Sequence, residues 1–107
     1  MSDFVAVARV GEIPDPGKKL VEVDGCLLVL CLVGGQYFCL DDVCTHDGGP
    51  LVDGRLEGQS IACPRHGARF ELATGKAITM PATEGTRCHE VRVEGSQILV
   101  RLSDDDA

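Results

Sequence analysis

The chain contains no tryptophan and a single tyrosine, and it is short of positive charge. Ten Lys and Arg stand against 17 Asp and Glu, a net charge of −7. With no basic stripe to neutralise phosphates, nucleic acid is excluded as a partner. Long hydrophobic runs are also missing. The longest, Cys26 to Val33, is far shorter than the roughly 20 apolar residues that span a bilayer. The opening stretch, MSDFVAVARVGEIPDPG, has no basic segment leading into an apolar one and no twin arginine. The expectation is a cytoplasmic protein with no membrane contact. A sustained helical period is absent too, which excludes a helical bundle. No internal repeat and no domain boundary interrupts residues 1–107, so a single domain is expected.

What is present is glycine, 13 residues of it, between short apolar runs. That pattern favours strands and turns. Phe4 to Ala8 reads as a strand. Lys19 to Asp24 alternates, with Val21 and Val23 on one face and Glu22 on the other. Cys26 to Val33 is apolar on both faces and reads as a central buried strand. Gly34-Gly35 marks a tight hairpin turn into a strand over Gln36 to Leu40. Residues 41–58 read as loop. Short strands follow at Ser60 to Cys63 and Arg69 to Leu72, with a loop from Met80 through Gly85. Cys88 to Glu94 and Gln97 to Leu102 form a last hairpin across Gly95-Ser96. The tail, residues 103–107, is acidic and expected to be solvated. The coarse fold is an all-β antiparallel sandwich or barrel carrying two ligand loops.

Six cysteines without a secretion signal point to metal rather than disulfides. Two short pairs stand out: Cys44-Thr45-His46 and, after sixteen intervening residues, Cys63-Pro64-Arg65-His66. Zinc modules usually pair Cys with Cys and His with His, so mixed pairs are uncommon there. A plant-type [2Fe–2S] site wants C-x4-C-x2-C. Cys39 and Cys44 start that pattern, but position 47 is Asp; Cys26 and Cys31 start it again, but position 34 is Gly. A Rieske [2Fe–2S] centre has two thiolates on one iron and two imidazoles on the other. Two loops build it if each supplies one Cys and one His, which makes mixed pairs the natural arrangement.

The segments CTHDGGPL and CPRHGARFELATG resemble the two cluster-binding boxes of Rieske-type ferredoxins. The resemblance runs over nearly the whole chain, including GEIPDPG and VRVEGSQILV, and looks most like the ferredoxins of bacterial ring-hydroxylating oxygenase systems. It implies one [2Fe–2S] cluster, held by Cys44 and Cys63 on one iron and His46 and His66 on the other. The cluster-binding subdomain would consist of two loops, about 41–58 and 62–72. Gly48, Gly49 and Gly67 would let backbone approach the cluster, and Pro81 resembles the shielding proline loop. The resemblance also implies a monomeric electron carrier, not an enzyme, passing single electrons from a flavin-dependent reductase to a terminal non-haem iron oxygenase. The alternatives are the accessory small subunit of a nitrite-reductase-type complex and a zinc-stabilised interaction domain.

High-potential members of the wider family carry an extra cysteine in each box; here those positions are Gly49 and Arg65. They also place hydroxyl donors beyond the second histidine, where this chain has Ala68 and Phe70. A lower potential is therefore expected. Cys26, Cys31, Cys39 and Cys88 read as structural. His89 shares strand parity with Val91 and Val93 and reads as a partly buried structural residue. Arg55, Arg65 and Arg69 suggest a basic rim near the histidine end, with a pairing of Arg69 to a nearby carboxylate as the alternative.

Overall fold

The computed structural model describes residues 3–42, 50–64, 67–78 and 85–103. Nine strands occur among them: β1 (Val5–Arg9), β2 (Gly17–Val23), β3 (Cys26–Val33), β4 (Gln36–Asp41), β5 (Arg55–Glu57), β6 (Ser60–Ala62), β7 (Arg69–Glu71), β8 (Cys88–Glu94) and β9 (Gln97–Arg101). Six of them form one antiparallel sheet in the order β1-β9-β8-β4-β3-β2. Its two outermost strands, β1 and β2, approach one another, so the sheet curls into a nearly closed barrel. The remaining three form a small sheet in the order β5-β6-β7.

The apolar run of β3 explains how the two sheets meet. Side chains alternate across a strand, and here both faces are covered. Leu28 and Leu30 enter the barrel interior with Ile13, Val21, Val23, Cys39, Ile98 and Val100. Val29 and Cys31 face the other way and join Leu40, Leu51, Ile61, Phe70 and Leu72. This second cluster is the joint between the barrel and the small sheet. Within it, Leu56, Ile61 and Phe70 form one cross-strand row on the inward face of the small sheet. Burying each such side chain stabilises by about 1.5–3 kcal/mol. The expected alternation in β2 also holds: Val21 and Val23 are buried and Glu22 is exposed.

The turn between β3 and β4 is made by Gly34 and Gly35, both at positive φ (60° and 80°). That is the geometry a two-residue hairpin needs and other side chains resist. A distant carboxylate holds the turn: Gly34 N–H donates to Asp15 Oδ1 at 2.9 Å and Gly35 N–H to Oδ2 at 2.8 Å.

Strand β8 divides its partners. Cys88 and His89 pair with Leu40 and Cys39 of β4, whereas Glu90 to Glu94 pair with β9. The six-stranded sheet is thus two three-stranded ribbons joined at one seam. Residues 42–87, including the whole small sheet, lie between the two strands of that seam.

Two expectations need correction. The segment 41–58 is not all loop, because Asp41 ends β4 and Arg55–Glu57 forms β5. Three residues are too few to show a period in sequence; cross-strand pairing with β6 makes them a strand. Cys26 is also only half-buried, since it opens β3 at the barrel's end. The proline loop, Pro81 included, lies outside the described residues, as does the end of the acidic tail.

Candidate metal centre

Strand β6 delivers Cys63 to the end of the small sheet, and β7 leads the chain back. Cys63 N–H donates to Ala68 O at 2.6 Å, and Gly67 N–H donates to Cys63 O at 3.1 Å. These two bonds clamp the base of a tight turn. Gly67 closes it at φ 75°, a left-handed conformation costly for a residue with a Cβ. Cys63 is 3% exposed and packs in the joint with Leu51, Ala68 and Phe70, while Pro64 and Gly67, on either side of the turn, are exposed. The turn thus presents a buried thiol at its root. His66 lies outside the described residues.

The first loop is closed at its neck. Val52 N–H donates to Asp42 Oδ1 at 2.6 Å, and Gly54 N–H to Leu51 O at 2.8 Å. Leu51 is fully buried in the joint. Cys44, His46, Gly48 and Gly49 lie outside the described residues. Among the described residues no three His, Cys, Asp or Glu side chains gather in a metal-binding group.

The chemistry around Cys63 fits an iron–sulfur cluster. A thiolate buried among apolar side chains is costly unless a cation compensates it, and soft thiolates are the ligands such clusters use. Small residues, Gly67 and Ala68, flank the site. Ala68 and Phe70 are both fully buried and bring no donor side chain.

His89 is 4% exposed, with both ring nitrogens engaged. Ser103 N–H donates to Nδ1 at 3.0 Å, which puts the ring proton on Nε2, and Nε2–H donates to Asp41 Oδ1 at 2.7 Å. It is a structural histidine, more deeply buried than the partly buried residue expected from its strand parity with Val91 and Val93. The carboxylate's other oxygen accepts from Arg87 Nε at 2.9 Å. That hydrogen bond raises the Arg87 pKa further.

Three of the other cysteines pack into the fold. Cys31 and Cys39 are fully buried. Burial pushes the Cys31 thiol up to about 12, and Cys39 further still, by burial first and then by its neighbours Cys31 and Cys88. Cys88 is half-buried and its thiol, also raised by burial, donates to Ala73 O at 3.3 Å.

The outer face of the small sheet carries a cross-strand row, Arg55, Ala62 and Arg69. Beside it opens a cleft of about 500 Å³ that reaches Cys63. The basic rim expected there is paired in part, with one carboxylate serving both described arginines. Glu57 forms ion pairs with Arg69 Nη2 at 2.5 Å and with Arg55 Nε at 3.2 Å. Arg65 lies outside the described residues. Sequence reasoning missed Glu57, which only the pairing of β5 with β6 and β7 brings between two arginines.

Buried thiol, clamped turn and closed loop neck characterise this β domain, and comparison with known proteins gives its class. The chain belongs to the Rieske [2Fe–2S] domain family, whose model matches residues 3–101. Its cofactor is one Rieske-type [2Fe–2S] cluster. Within the family it is a ferredoxin component of a dioxygenase system, an electron carrier rather than an enzyme. It is 38% identical over 100 residues, 94% of this chain and 96% of the other, to the ferredoxin component of a naphthalene 1,2-dioxygenase system from Pseudomonas aeruginosa. The ferredoxin of carbazole 1,9a-dioxygenase from Nocardioides aromaticivorans superposes with a TM-score of 0.90 at 26% identity, over 94% of this chain and 98% of that one. A chain in a complex of reduced oxygenase and oxidized ferredoxin of carbazole 1,9a-dioxygenase matches at 29% identity with a TM-score of 0.87, over 92% of each chain. A carrier so similar over nearly its full length decides against the zinc-stabilised and accessory-subunit readings.

Proposed function

We propose that Cys44 and Cys63 hold one iron of the cluster and His46 and His66 the other. The carrier would take single electrons from a flavin-dependent reductase and deliver them to a terminal non-haem iron oxygenase. The observation that carries the reading is Cys63, a thiol buried at the root of a clamped turn with His66 three residues on. The bound cluster supplies one-electron redox chemistry. The chain's own residues do the rest. Leu51, Phe70 and Leu72 exclude water on the thiolate side. Pro64 and Gly67, which flank the turn, are exposed, and a partner would dock there. The complex of oxygenase and ferredoxin known for carbazole 1,9a-dioxygenase supports an oxygenase as acceptor. We take the chain to act as one domain over residues 1–107, as a monomer in the cytoplasm. Among the described residues no helix is long and apolar enough to cross a membrane.

Iron and sulfide analysis with electron paramagnetic resonance tests the ligand set. Two irons and two sulfides per chain are expected by analogy with other such centres. Cys44→Ser, Cys63→Ser, His46→Ala and His66→Ala should each abolish or cripple assembly. A cluster surviving His66→Ala overturns the assignment. Arg65→Glu tests docking: electron delivery to the oxygenase should slow, most at low salt.

A further inference from the structure

The side chains of Asp41, Arg87 and His89 meet where residues 42–87 leave the barrel and return to it. Asp41 N–H donates to Arg87 O at 2.9 Å, and Arg87 Nε donates back to Asp41 Oδ2 at 2.9 Å. The second carboxylate oxygen accepts from His89 Nε2, and the other His89 nitrogen accepts from Ser103 N–H. Arg87 Nη1 also donates to Ser103 O at 3.3 Å. Every bond links segments far apart in sequence. The first ligand loop starts at Asp42, and Arg87 follows Thr86, whose N–H is fixed to Gly75 O at 2.8 Å. The cluster of charges therefore binds the root of the first loop to the segment leaving residues 79–84 and to the end of β9.

Asp41 precedes Cys44 by three residues, a reach of at most about 11 Å. The Asp41 side chain is 19% exposed and that of Arg87 36%, so solvent screens this pair less than a surface one. A rigid backbone pin and a balanced charge pair thus sit together beside the first ligand segment. We propose that Asp41 is a positioning residue for the cluster, held by Arg87 and His89. It fixes the approach of the first ligand loop, and its pairing with Arg87 keeps an uncompensated carboxylate away from the metal. The inference rests on the ligand assignment above.

The test uses the cluster-loaded protein. Asp41→Asn removes a negative charge and should raise the midpoint potential. Arg87→Leu leaves that charge unpaired and should lower it. The double variant should shift less than either single one. His89→Gln keeps a donor toward Asp41, whereas His89→Leu does not. Iron release to a chelator should therefore be several-fold faster in His89→Leu than in His89→Gln. A purely structural role would lower thermal stability without moving potentials in opposite directions. Where Arg87→Leu fails to fold, Arg87→Gln, which neutralises the charge but keeps a donor, carries the same arm. Potentials unmoved in the Asp41 and Arg87 variants, or equal iron release from both His89 variants, overturn the inference. A cluster retained in Cys44→Ser overturns the ligand assignment, and the inference with it. A cluster lost in Cys44→Ser, with the other potentials unmoved, overturns the inference alone.

Discussion

The barrel and the small sheet are built from the same kind of strand to different standards. Barrel strands run for five to eight residues, and β2 pairs with β3 over seven residues without interruption. The small sheet has three strands of three residues each. An isolated sheet of that size is marginal in water. It stands because Leu56, Ile61 and Phe70 bury against β3 and β4, and because its turn holds a metal ligand in our reading. The barrel folds on its own hydrophobic interior; the small sheet borrows both a partner surface and a cofactor. Stability should therefore be divided unequally, with the cluster as the dividing variable.

Removing the cluster is the sharpest way to break this comparison. In Cys63→Ser, amide exchange across β5 to β7 should accelerate at least about 100-fold, while β2, β3 and β4 keep their protection. Equal acceleration in both sheets would show that they unfold as one.

Core truncation comes next. Leu30→Ala, inside the barrel, should lower global stability by about 2–5 kcal/mol in denaturant titration. Phe70→Ala should cost about 3–5 kcal/mol but appear first as faster cluster loss, since Phe70 packs the joint. Identical unfolding and cluster-loss curves for the two variants would erase the distinction.

High pH should act on the barrel and joint through buried thiols. Cys31 is raised from an ordinary 9.0 to about 12, so between those values the unfolded chain has lost a proton that the native one keeps. Stability is full below about pH 9 and falls as pH rises, by about 1.4 kcal/mol per unit for each such thiol. Cys31→Val should flatten that decline, as followed by urea midpoints from pH 8 to 11; an unchanged slope would remove Cys31 from the account.

Electrochemistry probes the joint more finely. The wild-type potential should lie in the lower part of the Rieske range of about −150 to +300 mV. Ala68→Ser and Phe70→Tyr should each raise it by about 20–65 mV, the equivalent of one hydrogen bond worth roughly 0.5–1.5 kcal/mol. A wild-type value near the top of the range would refute the donor argument. The smallest effect is expected at Arg55, whose side chain is 81% exposed. Arg55→Gln should change stability by less than about 0.5 kcal/mol.

The same inequality governed what the sequence made legible. In the barrel, alternation in Val21-Glu22-Val23 and paired glycines at 34 and 35 located strands and turn, because burial on one face and positive φ each leave a local mark. The both-faces-apolar run of β3 correctly indicated a strand covered on two sides, although not by what. In the small sheet, β5 was invisible, since Arg55-Leu56-Glu57 becomes a strand only through β6. The ligand motifs stood out by spacing, yet the neutralisation of Arg69 by Glu57 and the meeting of Asp41 with Arg87 depend on long-range pairing. No local pattern encodes such contacts.

The seam between β4 and β8 has a consequence for modularity. Leu40 and Cys88 are direct neighbours, so everything from residue 42 to residue 87 is topologically an insertion into a hairpin. Excising it and joining β4 to β8 through an Asn-Gly turn would leave every barrel pairing in place. The excised chain would be a colourless six-stranded miniature with Leu40 and Val29 newly bare. Conversely, the segment enters and leaves its host at adjacent points, the geometry that lets one module be transplanted between hosts without rethreading either.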